Sequence, residues 1–330
     1  MSPPLAVTLG DPAGIGPEII TAAWSRRAAG DPPFLVFGDA QTLRRSGAPV
    51  APVGSPAEAA DVFASHLPVI DMPLPEPVLP GHPSTSAAAS VTGWIAAATR
   101  SCLAGEACAL VTAPISKAIL NAAGFSHPGH TEYIGELTAG APWSGERGPV
   151  MMLAAGDLRV SLATIHLPLA AVSAALSLEG LLRTARVTAQ SLTRDFGLPR
   201  PRLALAALNP HAGESGEIGR EEITLITPAA ERLRAEGLDI EGPLPADSLF
   251  APEIRQRYDA VICMYHDQAL IPIKMLDFWG GVNLTLGLPV VRTSPDHGTA
   301  FDIAGRGLAR ADSLIAALRM AGEIARRRSH

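Results

Sequence analysis

Residues 258–306 read YDAVICMYHDQALIPIKMLDFWGGVNLTLGLPVVRTSPDHGTAFDIAGR, and this stretch decides the expected fold. It begins with a short apolar run at 260–264, which carries no charge and therefore indicates a buried strand. The run stops at Tyr265, His266 and Asp267, so a polar cluster follows the end of that strand. In sheets with parallel strands, ligands bind at the carboxyl ends of the strands. The stretch therefore predicts an α/β fold with a site at this sheet edge.

Polar and ionisable side chains are concentrated in the rest of this stretch, among apolar residues and glycine. They are Lys274, Asp277, Asn283, Arg292, Asp296 and His297. Because an isolated buried charge is costly, such a concentration in apolar company favours a binding site. The alternative interpretation is a solvated loop surface.

Three histidines each follow the end of a predicted buried strand. The predicted strand at 160–165 is followed by His166, the strand at 203–208 by His211, and the strand at 260–264 by His266. Neutral imidazoles that come from separate strands can hold zinc or a similar ion and leave positions open for substrate. One histidine at a strand end is usually a structural residue, but three in the same topological position favour a metal site.

Two further motifs stand near the start of the chain. The turn GDPAGIGPE at 10–18 is rich in glycine, but two prolines interrupt it and the third glycine of a dinucleotide fingerprint is missing. It is therefore either a phosphate loop or a tight structural turn. The motif GHTE at 129–132 opens a helix, with Thr131 as a candidate cap and amides available to an anion. His130 and Thr131 are thus candidates to bind phosphate or carboxylate, and a capping threonine beside an incidental histidine is the alternative.

Two loops in the second half of the chain carry carboxylates. The loop at 211–219 is acidic and glycine-rich, which predicts a flexible segment that closes over a site. The turn GPLPADSLF at 242–250 places Asp247 between prolines. Asp247 is a candidate to bind or deprotonate a substrate, and the alternative is a helix N-cap.

Composition restricts the class of protein. A chain of 330 residues with 47% hydrophobic residues is long enough for two lobes with a sizeable core. The net charge of −6, with both signs mixed along the chain, argues against a nucleic-acid surface. No segment approaches the ~18 apolar residues that a membrane helix needs, and no basic leader is visible. The three cysteines are widely spaced, which favours reduced thiols in a cytoplasmic protein.

Local patterns predict further elements. Strands are expected at 5–9, 34–37 and 108–112, and residues 50–83 are expected to form an irregular connection. Helices are expected at 85–103, 117–124, 169–196, 220–236 and 309–328.

Several motifs together resemble the 4-hydroxythreonine-4-phosphate dehydrogenase family of vitamin B6 biosynthesis. They are GDPAGIGPE, GHTE, NPHAGE, GPLPADSLF, MYHDQALIPIK and DHGTAFDIAGRG, and they span nearly the whole chain. That family resembles a branch of the isocitrate and isopropylmalate dehydrogenase superfamily. Residues 297–305 are similar to the adenosine-binding loop of that superfamily, with Phe301 where the relatives usually carry proline.

The resemblance implies a two-lobed α/β/α sandwich of the isocitrate/isopropylmalate dehydrogenase-like type, with the active site in the interlobe cleft. One lobe is expected at about 1–140 plus 285–330, and the other at about 141–284. The resemblance also implies a homodimer with the metal site at the subunit interface.

The activity implied is an NAD(P)-dependent, metal-dependent oxidation of 4-phosphooxy-L-threonine at C3, followed by decarboxylation to 3-amino-2-oxopropyl phosphate. By resemblance, one divalent metal (zinc, magnesium or cobalt) is held by His166, His211 and His266. The substrate's phosphate and carboxylate are bound by His130, Thr131, Lys274, Asn283 and Arg292. The cofactor loop comprises His297, Gly298, Thr299, Ala300 and Asp302.

The implied chemistry fits these residue types. A metal stabilises negative charge on the substrate oxygen, and Lys274 and Arg292 suit its anionic groups. Either Asp247 or Asp267 is a candidate to take the hydroxyl proton, with Lys274 as a further catalytic residue. In that superfamily, an acid at the position of Asp302 pairs with the adenosine ribose hydroxyls and disfavours a 2′-phosphate, so the resemblance implies NAD over NADP.

Three other functions remain open. The first is a sister dehydrogenase for 4-phospho-threonate or 4-phospho-erythronate, which shares the same metal and anion residues. The second is an enzyme like phosphate acetyltransferase, which has a related fold but needs no metal. The third is a non-catalytic protein that binds a metabolite.

Overall fold

The computed structural model describes residues 3–127 and 129–329. The strands are β1 (Leu5–Thr8), β2 (Phe34–Gly38), β3 (Val50–Pro52), β4 (Leu67–Asp71), β5 (Ala109–Thr112), β6 (Val150–Ala155), β7 (Leu158–Leu162), β8 (Arg202–Ala206), β9 (Asp239–Leu244), β10 (Ala260–Cys263), β11 (Val282–Leu286) and β12 (Arg292–Pro295). The helices are α1 (Gly16–Ser25), α2 (Ala40–Arg45), α3 (Ala59–Val62), α4 (Ala88–Leu103), α5 (Lys117–Ala122), α6 (His130–Leu137), α7 (Val172–Ala175), α8 (Leu178–Phe196), α9 (Thr227–Ala235), α10 (Ala246–Leu249), α11 (Pro252–Arg255), α12 (His266–Leu276) and α13 (Asp312–Arg328).

The chain forms two compact units, and the first contains residues 3–142 and 288–329. Its six strands lie in the order β3-β4-β2-β1-β5-β12, and every pair is parallel. Helix α4 packs against β1 and β2, while α13 packs against β12 and β5. The strands β1, β2 and β5 are buried along their whole length, as expected for a sheet covered by helices.

The second unit is the continuous segment 143–287. Its strands lie in the order β11-β6-β7-β10-β8-β9. The pairs β11–β6 and β6–β7 are antiparallel, whereas β7–β10, β10–β8 and β8–β9 are parallel. The apolar residues of β6, β7, β8 and β10 form one core, together with α12 residues such as Ala269 and Ile273. The parallel half of this sheet therefore brings the carboxyl ends of β7, β10 and β8 to one edge.

The α/β class predicted from the sequence is confirmed. The expected lobe boundaries near residues 140 and 285 lie close to the observed divisions at 142 and 288. Among the described residues, no helix combines the length and hydrophobicity needed to cross a membrane. The three cysteines are free thiols, as expected.

Two predicted helices are interrupted. The helix expected at 169–196 breaks at Leu176, which is extended, and restarts after Ser177, whose hydroxyl accepts a hydrogen bond from the Gly180 amide at 3.1 Å. The helix expected at 220–236 contains a π-turn over Glu222–Ile226 before α9 begins. Pro228 lies two residues after this turn, and its missing N–H prevents a regular α-helical hydrogen bond at that point.

Two smaller predictions were wrong. Residues 50–83 contain the paired strands β3 and β4 and the short helix α3, because Pro52 ends the short edge strand β3 and Pro68 lies near the start of β4, where prolines are tolerated. Thr131 is not a helix cap. Helix α6 begins at His130 with Gly129 as its N-cap, which places Thr131 inside the first turn.

Candidate functional site

The ends of β7 and β10 are held together beyond the last paired residues of the sheet. The Ala163 amide donates to the Cys263 carbonyl oxygen at 2.8 Å. The Thr164 hydroxyl then donates to the Met264 carbonyl oxygen at 2.6 Å, and this bond is buried. The two segments that carry His166 and His266 are therefore fixed side by side, and their imidazole centroids lie 5.6 Å apart.

Gln268 joins the end of β10 to the end of β8. Its side chain is only 8% exposed. Its carbonyl oxygen accepts from the Met264 amide at 2.7 Å, and its amide nitrogen donates to the Ala207 carbonyl oxygen at 2.7 Å. The sequence reasoning missed this residue, although a glutamine among the apolar residues of α12 was a usable signal. Since buried polar groups need partners, Gln268 fixes the relative position of two strand ends.

The rings of two histidines are oriented by carboxylates. Nδ1 of His266 lies 2.7 Å from an oxygen of Asp267, and Nδ1 of His211 lies 3.0 Å from an oxygen of Glu214. Carboxylates commonly fix the orientation of metal-binding histidines through the ring nitrogen that does not bind the ion. In both histidines this leaves Nε2 as the nitrogen for a ligand. The chemistry of this donor set therefore fits a divalent metal.

His211 starts a segment with unusual backbone conformation. Residues 211–215 all have positive φ, namely 52° for His211, 54° for Ala212, 80° for Gly213, 42° for Glu214 and 57° for Ser215. The left-handed conformation costs about 1–2 kcal/mol for each residue other than glycine. The loop was predicted to be flexible, but the structure shows a tight left-handed turn. Strain of this kind persists only where the surroundings enforce it, and it clusters at functional sites.

The surroundings that enforce this turn include Asn209 and the two glutamates at 221 and 222. Glu222 is 3% exposed. One of its oxygens accepts from the amides of Leu208 and Asn209, both at 2.8 Å, and the other accepts from the Asn209 side-chain amide at 2.9 Å. Glu221 accepts from the same Asn209 side chain at 2.8 Å. Hydrogen bonds from the Ser173 hydroxyl and Asn209 lower the pKa of Glu221 to about 2.

The structure brings together only part of the predicted metal set. His166 and His266 are neighbours, and both are accessible to solvent. In the part of the chain that the structure describes, no group of three or more His, Cys, Asp or Glu side chains is arranged to hold a metal ion. His211 therefore does not complete a ligand set with the other two histidines in a single chain, and the three-histidine site stays a prediction.

The other predicted site residues of the second unit lie on three different elements. Asp247 is exposed in the first turn of α10. Lys274 lies on α12 with its ammonium 5.2 Å from the centre of the Phe278 ring. Asn283 lies on β11, and its side-chain oxygen is buried without a hydrogen-bond partner among the described residues. A buried acceptor of this kind is a position where a ligand could donate.

In the first unit, the buried Arg292 and the buried Nε2 of His130 form a cationic cluster with Lys117, which is exposed. Arg292 is 5% exposed, and its Nη2 donates to the Thr112 hydroxyl at 2.7 Å. Burial lowers the pKa of Arg292 to about 10, so it remains protonated at neutral pH. Burial, followed by the positive charges of Arg292 and Lys117, holds the pKa of His130 well below its ordinary value. Nε2 of His130 is buried and has no hydrogen-bond partner in the ranges 3–127 and 129–329.

Lys117 belongs to this cluster although the sequence reasoning did not select it. It lies at the start of α5, and a Cβ at Gly129 would stand 3.0 Å from its Cε and 3.4 Å from its Nζ. Gly129 therefore lets the lysine approach the first turn of α6, where backbone amides also attract anions. The sequence did not indicate that Lys117 lies near the GHTE motif, because α5 and the following turn separate them along the chain.

The glycine-rich turn at 10–18 packs against the predicted cofactor loop. The Ile15 amide donates to the Thr299 carbonyl oxygen at 2.9 Å. A Cβ at Gly14 would stand 2.9 Å from that same oxygen, so the two backbones approach closely only because residue 14 is glycine. The Gly305 amide donates to a carboxylate oxygen of Glu18. The turn thus supports the loop structurally, whichever ligand the loop binds.

The cofactor-loop residues are accessible. His297, Gly298 and Asp302 are exposed, while Ala300 adopts a positive φ of 43°. Beside the loop, a groove of about 350 Å³ is lined by residues that include Gly14, Glu18, Thr21, Arg45 and Gly305. Within the described residues, one Glu18 oxygen and the Thr21 hydroxyl are buried without a hydrogen-bond partner. The donors and acceptors available here fit a polar ligand such as a nucleotide.

Comparison with known proteins places the chain in a family. Residues 31–321 match the model of the family described as pyridoxal phosphate biosynthetic protein PdxA. The chain belongs to the PdxA family. It is 60% identical over 329 residues to the 4-hydroxythreonine-4-phosphate dehydrogenase of Caulobacter vibrioides, covering 99% of each chain. The corresponding protein of Maricaulis maris is 53% identical over 332 residues, with 98% of this chain and 97% of that protein covered.

Comparison with a solved structure also places this PdxA family member among the 4-hydroxythreonine-4-phosphate dehydrogenases it resembles. The 4-hydroxythreonine-4-phosphate dehydrogenase of Klebsiella pneumoniae is 40% identical and superimposes with a TM-score of 0.86, covering 98% of this chain and 100% of that chain. The resemblance inferred from the motifs is therefore confirmed, and the similarity in fold extends over 98% of this chain.

Proposed function

We propose that the chain is a dehydrogenase that oxidises 4-phosphooxy-L-threonine at C3 with a nicotinamide cofactor and decarboxylates the product to 3-amino-2-oxopropyl phosphate. The observation that carries the proposal is the PdxA family match over residues 31–321, together with an identity of 60% to a relative of that name. The cations of the first unit and the oriented histidines of the second unit supply the types of side chain that this reaction requires.

The phosphate of the substrate is assigned to the cationic cluster of Arg292, His130 and Lys117. Arg292 carries a permanent charge and a planar fork that matches two phosphate oxygens. A neutral His130 donates or accepts one hydrogen bond without adding a second buried charge. Thr131 and Lys117 complete the group, and the α6 amides lie in the same place. Lys274 and Asn283 are the proposed contacts for the remaining polar groups of the substrate.

The divalent metal is assigned to Nε2 of His166, His211 and His266, with zinc, magnesium or cobalt as candidates. When bound, the cation supplies positive charge that stabilises negative charge on the substrate's hydroxyl oxygen. Asp267 and Glu214 hold the rings of His266 and His211 through Nδ1. The bond from Asp267 to His266 favours an orienting role for this carboxylate. Asp247, which is exposed on α10, is then the proposed general base.

The cofactor is assigned to His297, Gly298, Thr299, Ala300 and Asp302, beside the groove that contains Glu18 and Thr21. Asp302 is exposed and carries a negative charge that repels a 2′-phosphate. We therefore propose NAD as the preferred cofactor, which requires a higher kcat/KM with NAD than with NADP.

A homodimer completes the proposal, with the metal site at the subunit interface. Its support is an exposed apolar patch on α12 and the following turn, defined by Ile271, Met275, Phe278 and Trp279. These residues are 62%, 82%, 59% and 49% exposed, respectively. Exposed apolar patches of this kind mark interaction surfaces in soluble proteins.

The test is a substrate panel with NAD and an added divalent metal, in which reduced cofactor and carbon dioxide are followed together. The proposal requires both products from 4-phosphooxy-L-threonine in equal amounts. Faster turnover of 4-phospho-threonate or 4-phospho-erythronate would overturn the substrate assignment. Reduction of cofactor without release of carbon dioxide would overturn the second stage of the reaction.

A further inference from the structure

The left-handed segment 211–215 controls where the His211 ring points. In this turn the side chains of residues 211 and 214 lie together, and Glu214 accepts or shares the Nδ1 proton of His211 at 3.0 Å. An extended backbone would separate the two side chains, and a right-handed turn, which also brings residues i and i+3 together, would lead them in a different direction from the end of β8. The orientation of Nε2 of His211 therefore depends on a backbone conformation that residues other than glycine disfavour.

Asn209 and Glu222 hold the chain directly before this segment. One Glu222 oxygen accepts the amides of Leu208 and Asn209, both at 2.8 Å, and the other accepts the Asn209 side chain at 2.9 Å. Since Glu222 is 3% exposed, this carboxylate is enclosed by its partners. Removal of Glu222 would leave two backbone amides without their acceptor at the point where the left-handed segment begins.

The space around two glycines shows how closely Glu222 and Asn209 pack against this loop. A Cβ at Gly213 would stand 2.7 Å from an oxygen of Glu222, and a Cβ at Gly219 would stand 2.4 Å from the side-chain nitrogen of Asn209. Gly213, inside the segment, therefore lies directly on the Glu222 side chain, and Gly219, four residues beyond the segment, lies directly on the Asn209 side chain. A substitution in the loop must therefore displace the side chain that packs on it, and a substitution of that side chain must displace the loop.

We propose that Glu222 and Asn209 are positioning residues, which hold the left-handed segment 211–215 and thereby set the affinity of His211 for a divalent cation. The inference rests on the proposed function, because it requires His211 to be a metal ligand. It extends that function by assigning a role to two residues that do not bind the metal themselves. They act on it by fixing the backbone that carries His211. Groups that hydrogen-bond a ligating histidine directly typically change metal affinity by about 10–100-fold when they are removed, and the lower end of this range is expected for residues that act through the backbone.

The experiment uses the full chain, stripped of metal with a chelator and titrated with Co²⁺, whose visible absorption reports binding. Glu222→Ala is expected to raise the Kd for Co²⁺ by at least about tenfold. Glu222→Gln keeps an acceptor for the two backbone amides and should give an intermediate Kd. Gly213→Ala places a methyl group against the Glu222 carboxylate and should also raise the Kd for Co²⁺. It serves as a second variant if Glu222→Ala fails to fold.

Two controls separate the possible outcomes. Glu253→Ala removes an exposed carboxylate of the same unit and should leave the Kd unchanged. Melting of the metal-free variants tests folding, and a lowered melting temperature with an unchanged Kd would show a structural role only and overturn the inference. If His211→Ala itself binds Co²⁺ like the unaltered chain, the proposed ligand set fails. If His211→Ala binds weakly but Glu222→Ala and Gly213→Ala bind normally, only the positioning role fails.

Discussion

The hydroxyl of Thr164 donates a hydrogen bond to the carbonyl oxygen of Met264 at 2.6 Å, and this bond joins two segments that are 100 residues apart in sequence. The bond holds the two chain segments together beyond the last paired residues of β7 and β10. His166 follows one of these residues by two positions, and His266 follows the other by two positions. The proximity of the two imidazoles is thus a property of the strand ends and does not require a metal.

Arg292→Lys should weaken phosphate binding although it conserves the charge. Lysine cannot form the planar fork and loses the Nη2 bond to Thr112 at 2.7 Å. Hydrogen bonds to charged groups contribute about 1.5–3 kcal/mol, so the Kd for the substrate should rise by about 10–100-fold. Calorimetric titration measures this change. Arg310→Lys, at an exposed arginine of the same unit, is the control, and an equal Kd for both variants would contradict the assignment.

His130 should make the stability of the protein depend on pH in the acid range. Its pKa is held well below the ordinary value by burial and by Arg292 and Lys117. Between about pH 6.5 and that lower pKa, the unfolded chain binds a proton that the folded chain does not bind. Stability therefore falls as the pH falls through this window, and the contribution of His130 is at most about 1.4 kcal/mol per pH unit.

The variant His130→Gln tests this pH dependence, because glutamine is neutral throughout. Denaturant unfolding at several pH values should give a shallower loss of stability on acidification than in the unaltered chain. Identical slopes for the two proteins would show that His130 titrates normally in the folded state.

Gly14→Ala should weaken cofactor binding and leave phosphate binding intact. A Cβ at residue 14 would stand 2.9 Å from the Thr299 carbonyl oxygen, so the loop that starts at His297 must shift. We expect the Kd for NADH to rise by about tenfold, which corresponds to ~1.4 kcal/mol. Fluorescence titration with NADH measures the effect. Gly93→Ala is the matched control, since a Cβ there meets no atom within 4 Å, and equal effects of the two substitutions would contradict the prediction.

Met275→Glu should weaken self-association if the apolar patch on α12 contacts a second copy. Met275 is 82% exposed, so a glutamate is tolerated in the single chain but costs free energy in an apolar interface. Sedimentation equilibrium should show a dissociation constant at least about tenfold higher than that of the unaltered chain. Leu79→Glu, at another exposed apolar residue (61% exposed), should have no effect. A monomeric unaltered chain would contradict the prediction directly.

The sequence predicted those features that depend on local pattern. The uncharged run at 260–264 became the buried strand β10, and the histidines after β7, β8 and β10 lie beyond strand ends as expected. The motifs also led to the correct family. The interruption of the helix at Leu176 was missed, because a capping serine inside an amphipathic pattern does not change the spacing of apolar residues.

Features that depend on distant parts of the chain could not be predicted in this way. Lys117 joins His130 and Arg292 only because β5, α5 and α6 bring them together in the fold. Gln268 gains its role from the Ala207 carbonyl oxygen, which lies 61 residues earlier. The left-handed backbone at His211 is enforced by Glu222 and Asn209, and residue types such as alanine and serine gave no sign of it.

The conformation of residues 211–215 also limits how this loop can vary. In a saturation library over Ala212 and Ser215, which have φ values of 54° and 57°, the surviving clones should be enriched in glycine, asparagine and aspartate and depleted of valine and isoleucine. Selection for a different metal would therefore find few acceptable changes inside the loop. Evolution of new specificity should instead proceed through the residues that surround it.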